Sequence, residues 1–359
     1  MTTALAGGGG ISSSSISRQQ SSSSLNSTNT SPSADSDEKE RLELEVQIAQ
    51  PKSIKKYPLK VQLDYLKAKT CLAGEEYQEA QKVLSELVEK YEDIEELNYS
   101  YHLCIGYCRY KQKKYKEALA LFQRQVGRVE GGQRAALAYF YSGLALLKLR
   151  RYIDAVQPLI QAVSLDSSSP LPTASLFFFY LGKAQYKIKL YERAILSLTE
   201  AIGKKVSSRF KFHRVFLSRG KCYLELGNLH AAKEDFLQAL ILQKNNAQTL
   251  YALAMLEYIK YMRLGNSQDL DAAAHYADNL LFKSPSHLKS LILIGLILVK
   301  NGSYEQALKS FGLAISLNSQ NNRRARIFRL NCAAFLQALR GEGKAEDILK
   351  ELNLMILEC

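Results

Sequence analysis

Five glycines constrain this chain more than any other feature. Gly106, Gly143, Gly182, Gly220 and Gly295 follow one another at 37, 39 and 38 residues and then at a double step of 75. Nine residues after each comes a bulky side chain (Tyr115, Tyr152, Tyr191, Leu229, Tyr304) and twelve after an alanine (Ala118, Ala155, Ala194, Ala232, Ala307). Sixteen after comes a large apolar residue, Phe122, Leu159, Leu198, Phe236 or Phe311. Position nineteen is Ala162, Ala201, Ala239 or Ala314 in four of the five, with Gln125 the exception. Self-similarity at a period of this length is the mark of a repeat array, in which one short unit cannot bury its apolar face and stacks on its neighbours instead.

From Tyr57 onward apolar residues recur at steps of three and four, Gly and Pro fall between segments, and no stretch alternates as a half-buried strand does. The offsets therefore read as two antiparallel helices per repeat. The glycine lies where helix A meets helix B too closely for a side chain, and the alanine twelve on is the small contact on helix B. The Phe or Leu sixteen on fills the space between hairpins. Ala68, Tyr77, Ala80 and Leu84 reproduce the same offsets and place a first repeat near Val61. Between Gly220 and Gly295, residues 250–263 read as helix A and Leu270, Ala273, Ala277 and Leu280 as helix B, joined by a long linker over 265–269. The count is about seven repeats.

The pattern resembles the tetratricopeptide repeat. Leu181-Gly182 and Arg219-Gly220-x2-Tyr223 carry its opening motif, and Tyr115-x2-Ala118-x3-Phe122 and Tyr304-x2-Ala307-x3-Phe311 its second half. The chain departs from the family in having no Trp, few closing prolines and spacings a few residues longer than the family's, with the extra residues expected in the inter-repeat turns. The resemblance implies an all-α, right-handed superhelical solenoid over residues 61–320, closed by a capping hairpin over 321–359. Residues 1–40, rich in Ser and Gly, are predicted to be a disordered tail because they offer almost nothing apolar to offset ordering entropy; Ser31 and Ser36 are its candidate phosphoacceptors. Residues 41–60 are a lead-in.

The formal charge of +13 is concentrated in the folded part. The first 40 residues hold two bases and four acids, leaving the remainder at +15. Such a balance favours acidic partners. The longest apolar run, residues 291–299, is about half the roughly 20 residues that a spanning helix needs, so no membrane span is expected. Residues 1–11 lack the features of a secretory signal, and six scattered cysteines without a Cys-x-x-Cys pair form no disulfide framework. The expected location is the cytoplasm, with the nucleus open.

No enzyme constellation is present: there is no phosphate loop, no nucleophile elbow and no His-Glu-x-x-His helix. His102, Cys104 and Cys108 are the one cluster with metal-like spacing, but it lacks a fourth ligand and reads as packing. His213, His230, His275 and His287 read as surface or groove residues. Neither a cofactor nor a metal is implied.

The family resemblance implies that the residues one, four and five after each glycine face the concave groove. Those positions nominate Tyr107, Tyr110, Lys111, Lys148, Lys183, Tyr186, Lys187 and Lys221 as partner-binding residues. A groove lined by Lys and Tyr suits protein segments that carry acids and apolar anchors. Lysine near a helix C-terminus is also what the helix dipole favours unaided. The carboxylate-binding subtype of the family, which engages chaperone C-termini, places an asparagine after the small anchor; no repeat here supplies it, so that alternative is disfavoured. A second alternative is nucleic acid, on Lys204, Lys205, Arg209, Lys211 and Arg214, whose interleaved Val206, Phe210, Phe212 and Phe216 read more simply as core. The expectation from sequence is a non-enzymatic interaction scaffold or adaptor, a subunit of a multi-protein assembly.

Overall fold

The computed structural model describes residues 57–127, 132–166, 173–204 and 211–317. The Ser/Gly-rich tail, nearly all of the lead-in and the expected capping hairpin lie outside them. Among the described residues there are fourteen α-helices and no strand. They pair as hairpins: α1 (Leu59–Ala73) with α2 (Tyr77–Lys90), α3 (Glu95–Lys111) with α4 (Tyr115–Val126), and α5 (Gly132–Lys148) with α6 (Tyr152–Asp166). Next come α7 (Thr173–Lys187) with α8 (Tyr191–Gly203) and α9 (Phe212–Glu225) with α10 (Leu229–Leu242). The last two are α11 (Ala247–Leu264) with α12 (Ser267–Lys283) and α13 (Leu288–Lys300) with α14 (Tyr304–Leu317). The seven hairpins are repeats 1 to 7.

Five of the seven hairpins close on a glycine. A Cβ built on Gly106 would sit 2.6 Å from the Phe122 ring, and one on Gly295 2.3 Å from the Phe311 ring. Gly143, Gly182 and Gly220 meet Leu159, Leu198 and Phe236 in the same way. The residue sixteen on therefore fills the space left by the glycine inside its own hairpin, which corrects the expectation that it serves chiefly between hairpins. It also reaches outward in repeat 2, where Phe122 stacks on Tyr141 of the next repeat with ring centroids 5.3 Å apart. The alanine twelve on is fully buried in every repeat that carries it, and its carbonyl lies 3.2 Å from the Cβ position of Gly182 and of Gly220.

The turn between the two helices is also repeated. In six hairpins helix A ends in a Schellman motif, with paired bonds such as Lys113 N to Tyr110 O at 3.0 Å and Lys114 N to Arg109 O at 2.9 Å. The motif needs one residue at positive φ. Gly227 and Gly302 supply it in repeats 5 and 7, whereas Glu75, Lys113, Arg150 and Lys189 adopt it in repeats 1 to 4. A side chain with a Cβ is held there at a steric cost.

Repeat 6 departs from the others, though not by the long linker expected over 265–269. Only Gly265 and Asn266 separate its helices, and the additional residues lengthen the helices, to 18 and 17 residues against 13 and 14 in repeat 7. Ala254 is its small anchor: it is fully buried and stands eight residues after the Asn246 cap, as Gly295 does after the His287 cap. Those caps accept from Thr249 N and Ser290 N, and the helix ends on Gly265 at φ 71° in a single αL turn.

Across repeats, each B helix packs on the A helix that follows it, and successive A helices approach one another more closely than successive B helices do: α3 with α5, α5 with α7, α7 with α9, α9 with α11 and α11 with α13. The A helices thus line the inner, concave side of the solenoid, and the B helices splay on the outer side. A continuous apolar core runs through repeats 1 to 4 into α9. From repeat 5 on, smaller clusters replace it. At that seam Arg219 forks onto Asp235 at 2.8 and 2.9 Å and reaches Thr199 of repeat 4, and the buried Glu257 is held by Lys233 and Lys260. No helix among the described residues is long and apolar enough to cross a membrane.

Replacing Gly182 by Leu drives a side chain into Leu198 and the Ala194 carbonyl and is expected to cost about 1–3 kcal/mol, read from the urea midpoint. Gly at Lys113, Arg150 or Lys189 relieves the positive φ; each substitution is expected to raise stability by up to about 1 kcal/mol, the relief exceeding glycine's own entropic cost.

Candidate functional site

The residues nominated for the groove divide into three groups. Tyr107 and Tyr110 are only 6% and 3% exposed, so they are packing residues and not contact residues. Tyr107 lies between Tyr77 and Tyr141, with centroids 6.3 and 5.9 Å away, and Tyr110 packs edge-on against Tyr115 at 5.3 Å. The physical reason is local: in repeat 2 the A helix meets aromatic side chains from both neighbouring repeats, and a tyrosine at these offsets is drawn into the gap. Lys111 goes with them, its ammonium buried over the Tyr77 and Tyr107 rings at 5.9 and 5.4 Å. Lys148 is exposed at the end of α5.

Lys111, Lys148, Lys187 and Lys300 each occupy the last residue of an A helix, and Glu225 takes that place in α9. Four ammoniums at four helix C-termini lie where the dipole is most negative, which accounts for the recurrence of lysine without a ligand.

Lys183, Lys187 and Lys221 form the third group, and the structure adds Lys289 to them. Lys183 and Lys187 are one turn apart on α7, Lys221 holds the position equivalent to Lys183 on α9, and Lys289 lies in the first turn of α13. Lys221 is largely withdrawn from solvent. Burial, followed by repulsion from Lys289, Lys183 and Lys187, lowers its pKa to about 8. Three of these ammoniums rest over tyrosine rings: Lys183 over Tyr180 at 5.8 Å, Lys187 over Tyr186 at 5.9 Å and Lys289 over Tyr251 at 5.8 Å. Tyr186 also bridges repeats, its hydroxyl donating to Glu225 at 3.4 Å. Lys289 could not be found from offsets to the glycine, because its place in the cluster depends on how the A helices curve.

Other candidate chemistry is placed as packing. Cys104 and Cys108 are buried, and desolvation pushes the Cys104 thiol up to about 12, far from a reactive thiolate. His102 Nδ1 is 2.8 Å from the Asn98 carbonyl on its own helix. Among the described residues no group of three or more His, Cys, Asp or Glu side chains is disposed to hold a metal. Of the basic stretch considered for nucleic acid, residues 205–210 lie outside the described residues. Lys204 lies over the Phe178 ring and Arg214 over the Phe179 ring at 5.7 and 5.3 Å, and Phe216 packs on the core of repeats 5 and 6.

Two profiles described as tetratricopeptide repeat match the sequence, one over residues 65–133 and 262–322 and the other over 213–246. No curated protein matches it. Similar solved structures include the C-terminal part of a TPR repeat-containing protein from Cytophaga hutchinsonii, with 17% identity and a TM-score of 0.51, covering 74% of this chain and 98% of that one. PilF of Pseudomonas aeruginosa has 17% identity and a TM-score of 0.51, with 66% and 96% covered. PilW, a type IV pilus biogenesis factor, has 14% identity and a TM-score of 0.53, with 64% and 97% covered. At these identities the likeness is one of fold.

The lowered pKa of Lys221 gives a stability signature. Below pH 8 the amine is charged in the folded and unfolded chains alike, and the folded chain bears the repulsion. Between about 8 and the ordinary 10.5 the folded chain releases its proton first, so this strain is lost as pH rises. Lys221→Met is therefore expected to raise the melting temperature at pH 7, with a gain that shrinks toward pH 10; a pH-independent effect would contradict the assignment.

Proposed function

The chain belongs to the tetratricopeptide-repeat superfamily, a family of protein–protein interaction scaffolds, and from that premise we propose that it is a non-enzymatic, cytoplasmic adaptor that holds an acid-bearing segment of a partner protein across the concave face of repeats 4 to 7. The observation that carries this reading is the gathering of Lys183, Lys187, Lys221 and Lys289 on the inner helices. Four like charges brought together at a cost to the fold are the usual signature of a site kept for a ligand of opposite charge. The tyrosines beside them offer flat, amphipathic surface at low entropic cost, which suits the apolar positions of the same segment.

An extended or helical segment lying along the A helices would meet Lys187 and Lys183 of repeat 4, then Lys221 of repeat 5, then Lys289 of repeat 7. Recognition spread over several repeats makes each contact modest and their sum selective. Scaffold subunits of multi-protein assemblies work in this way, and the basic balance of the folded part favours acidic partners at long range.

The reading is tested by placing a photo-crosslinking side chain at Lys187 in the full chain, in its own cells, and identifying the joined peptide by mass spectrometry. The expected product is an acid-rich segment of one or a few proteins, and its yield is expected to fall at least tenfold when Lys183→Glu and Lys221→Glu are added without lowering the melting temperature. Crosslinks of equal yield in that variant, or crosslinks to RNA in place of protein, would overturn it.

A further inference from the structure

The four-lysine cluster contains more positive charge than a carboxylate side chain offsets. Lys221 feels Lys289, Lys183 and Lys187 together, so the ammoniums of three A helices act on one volume of the groove. A single Asp or Glu brings one negative charge to that volume. A phosphomonoester brings about −1.5 to −2 at pH 7 and three acceptor oxygens.

The type of cation points the same way. The three groups that repel the Lys221 ammonium, Lys289, Lys183 and Lys187, are lysines, compact point charges on flexible stems of the kind that bind phosphate. Lys183, Lys187 and Lys289 are steadied over the rings of Tyr180, Tyr186 and Tyr251, which leaves their charges arranged before a ligand arrives. Point charges approaching from α7, α9 and α13 can meet the three acceptor oxygens of a tetrahedral anion on several sides, whereas a carboxylate presents two oxygens in one plane.

We propose that Lys183, Lys187, Lys221 and Lys289 seat a phosphorylated serine or threonine of the partner segment, so that capture by the adaptor depends on a kinase. This rests on the reading that the concave face holds a partner segment and narrows the chemistry of its anchoring group.

The test uses the full chain and three labelled decapeptides of one acidic sequence, carrying phosphoserine, glutamate or serine at the central position, in fluorescence anisotropy at fixed salt. The phosphoserine peptide is expected to bind at least about tenfold more tightly than the glutamate peptide. The difference is expected to vanish in the combined variant Lys183→Gln, Lys187→Gln, Lys221→Gln and Lys289→Gln, whose circular dichroism and melting temperature establish that it is folded. Equal binding of phosphoserine and glutamate peptides overturns the phosphate seat while leaving an acidic-segment adaptor intact. Phosphopeptide binding unaffected by the four substitutions also overturns it, by placing the contact elsewhere. An RNA oligomer that binds more tightly than the phosphopeptide and loses binding in the same variant would assign the cluster to nucleic acid. In the crosslinking experiment the corresponding sign is that phosphatase treatment abolishes capture; loss of capture on charge reversal without sensitivity to phosphatase retains the adaptor and excludes the phosphate.

Discussion

The architecture depends on one close approach, the contact of a Phe or Leu side chain on helix B with a bare glycine backbone on helix A. At 2.3 to 2.7 Å from the position where a Cβ would stand, the ring or isobutyl group occupies the volume that any other residue would claim. This contact sets the distance between the two helices. That distance in turn determines where the buried alanine carbonyl lies and how the next A helix can nest against the hairpin. Curvature is then the accumulated result of identical local geometry, and a concave surface exists because inner helices approach one another more closely than outer ones.

This dependence explains what could be read without coordinates. Steric exclusion is a property of residue type, so Gly182, Ala194 and Leu198 declare their register directly, as do their counterparts in the other repeats. Repeat 6 was harder, because its added residues continue the helical periodicity inside α11 and α12 and leave Ala254 as an anchor with no glycine to mark it. Legibility of the groove was poorer again. Whether a residue one place after the glycine faces a ligand or the seam between repeats depends on its neighbours' bulk; Tyr107 is enclosed by Tyr77 and Tyr141, while at the same offset Lys183 stays partly exposed and Lys221 is largely withdrawn from solvent beside other lysines. Lys289 joins them through superhelical curvature, a property of the whole stack that no single repeat encodes.

The core changes character where the site sits. Apolar packing is unbroken from α1 into α9, and past it the hairpins are joined by smaller clusters and by polar links, among them Arg219 with Thr199 and Glu257 with Lys233. Directional polar contacts of this kind tolerate less misalignment than a run of aromatic rings but contribute less net free energy. Lys183 and Lys187 stand on one side of that junction and Lys289 on the other. The proposed ligand would therefore span two unequal bodies of core, and part of its binding energy would go into holding them in one relation.

A lysine with a pKa of about 8 also has a chemistry of its own. At pH 7 Lys221 is present as the free amine far more often than a lysine at its ordinary value. The uncharged amine is a nucleophile, and burial together with crowding by other ammoniums is how proteins activate it. Acylating and carbonyl reagents applied sparingly to the native protein will thus discriminate among its lysines, with Lys221 favoured wherever they can reach it. Whatever covers the groove will shield that amine, so the occupancy of the concave face is written into the reactivity of one side chain.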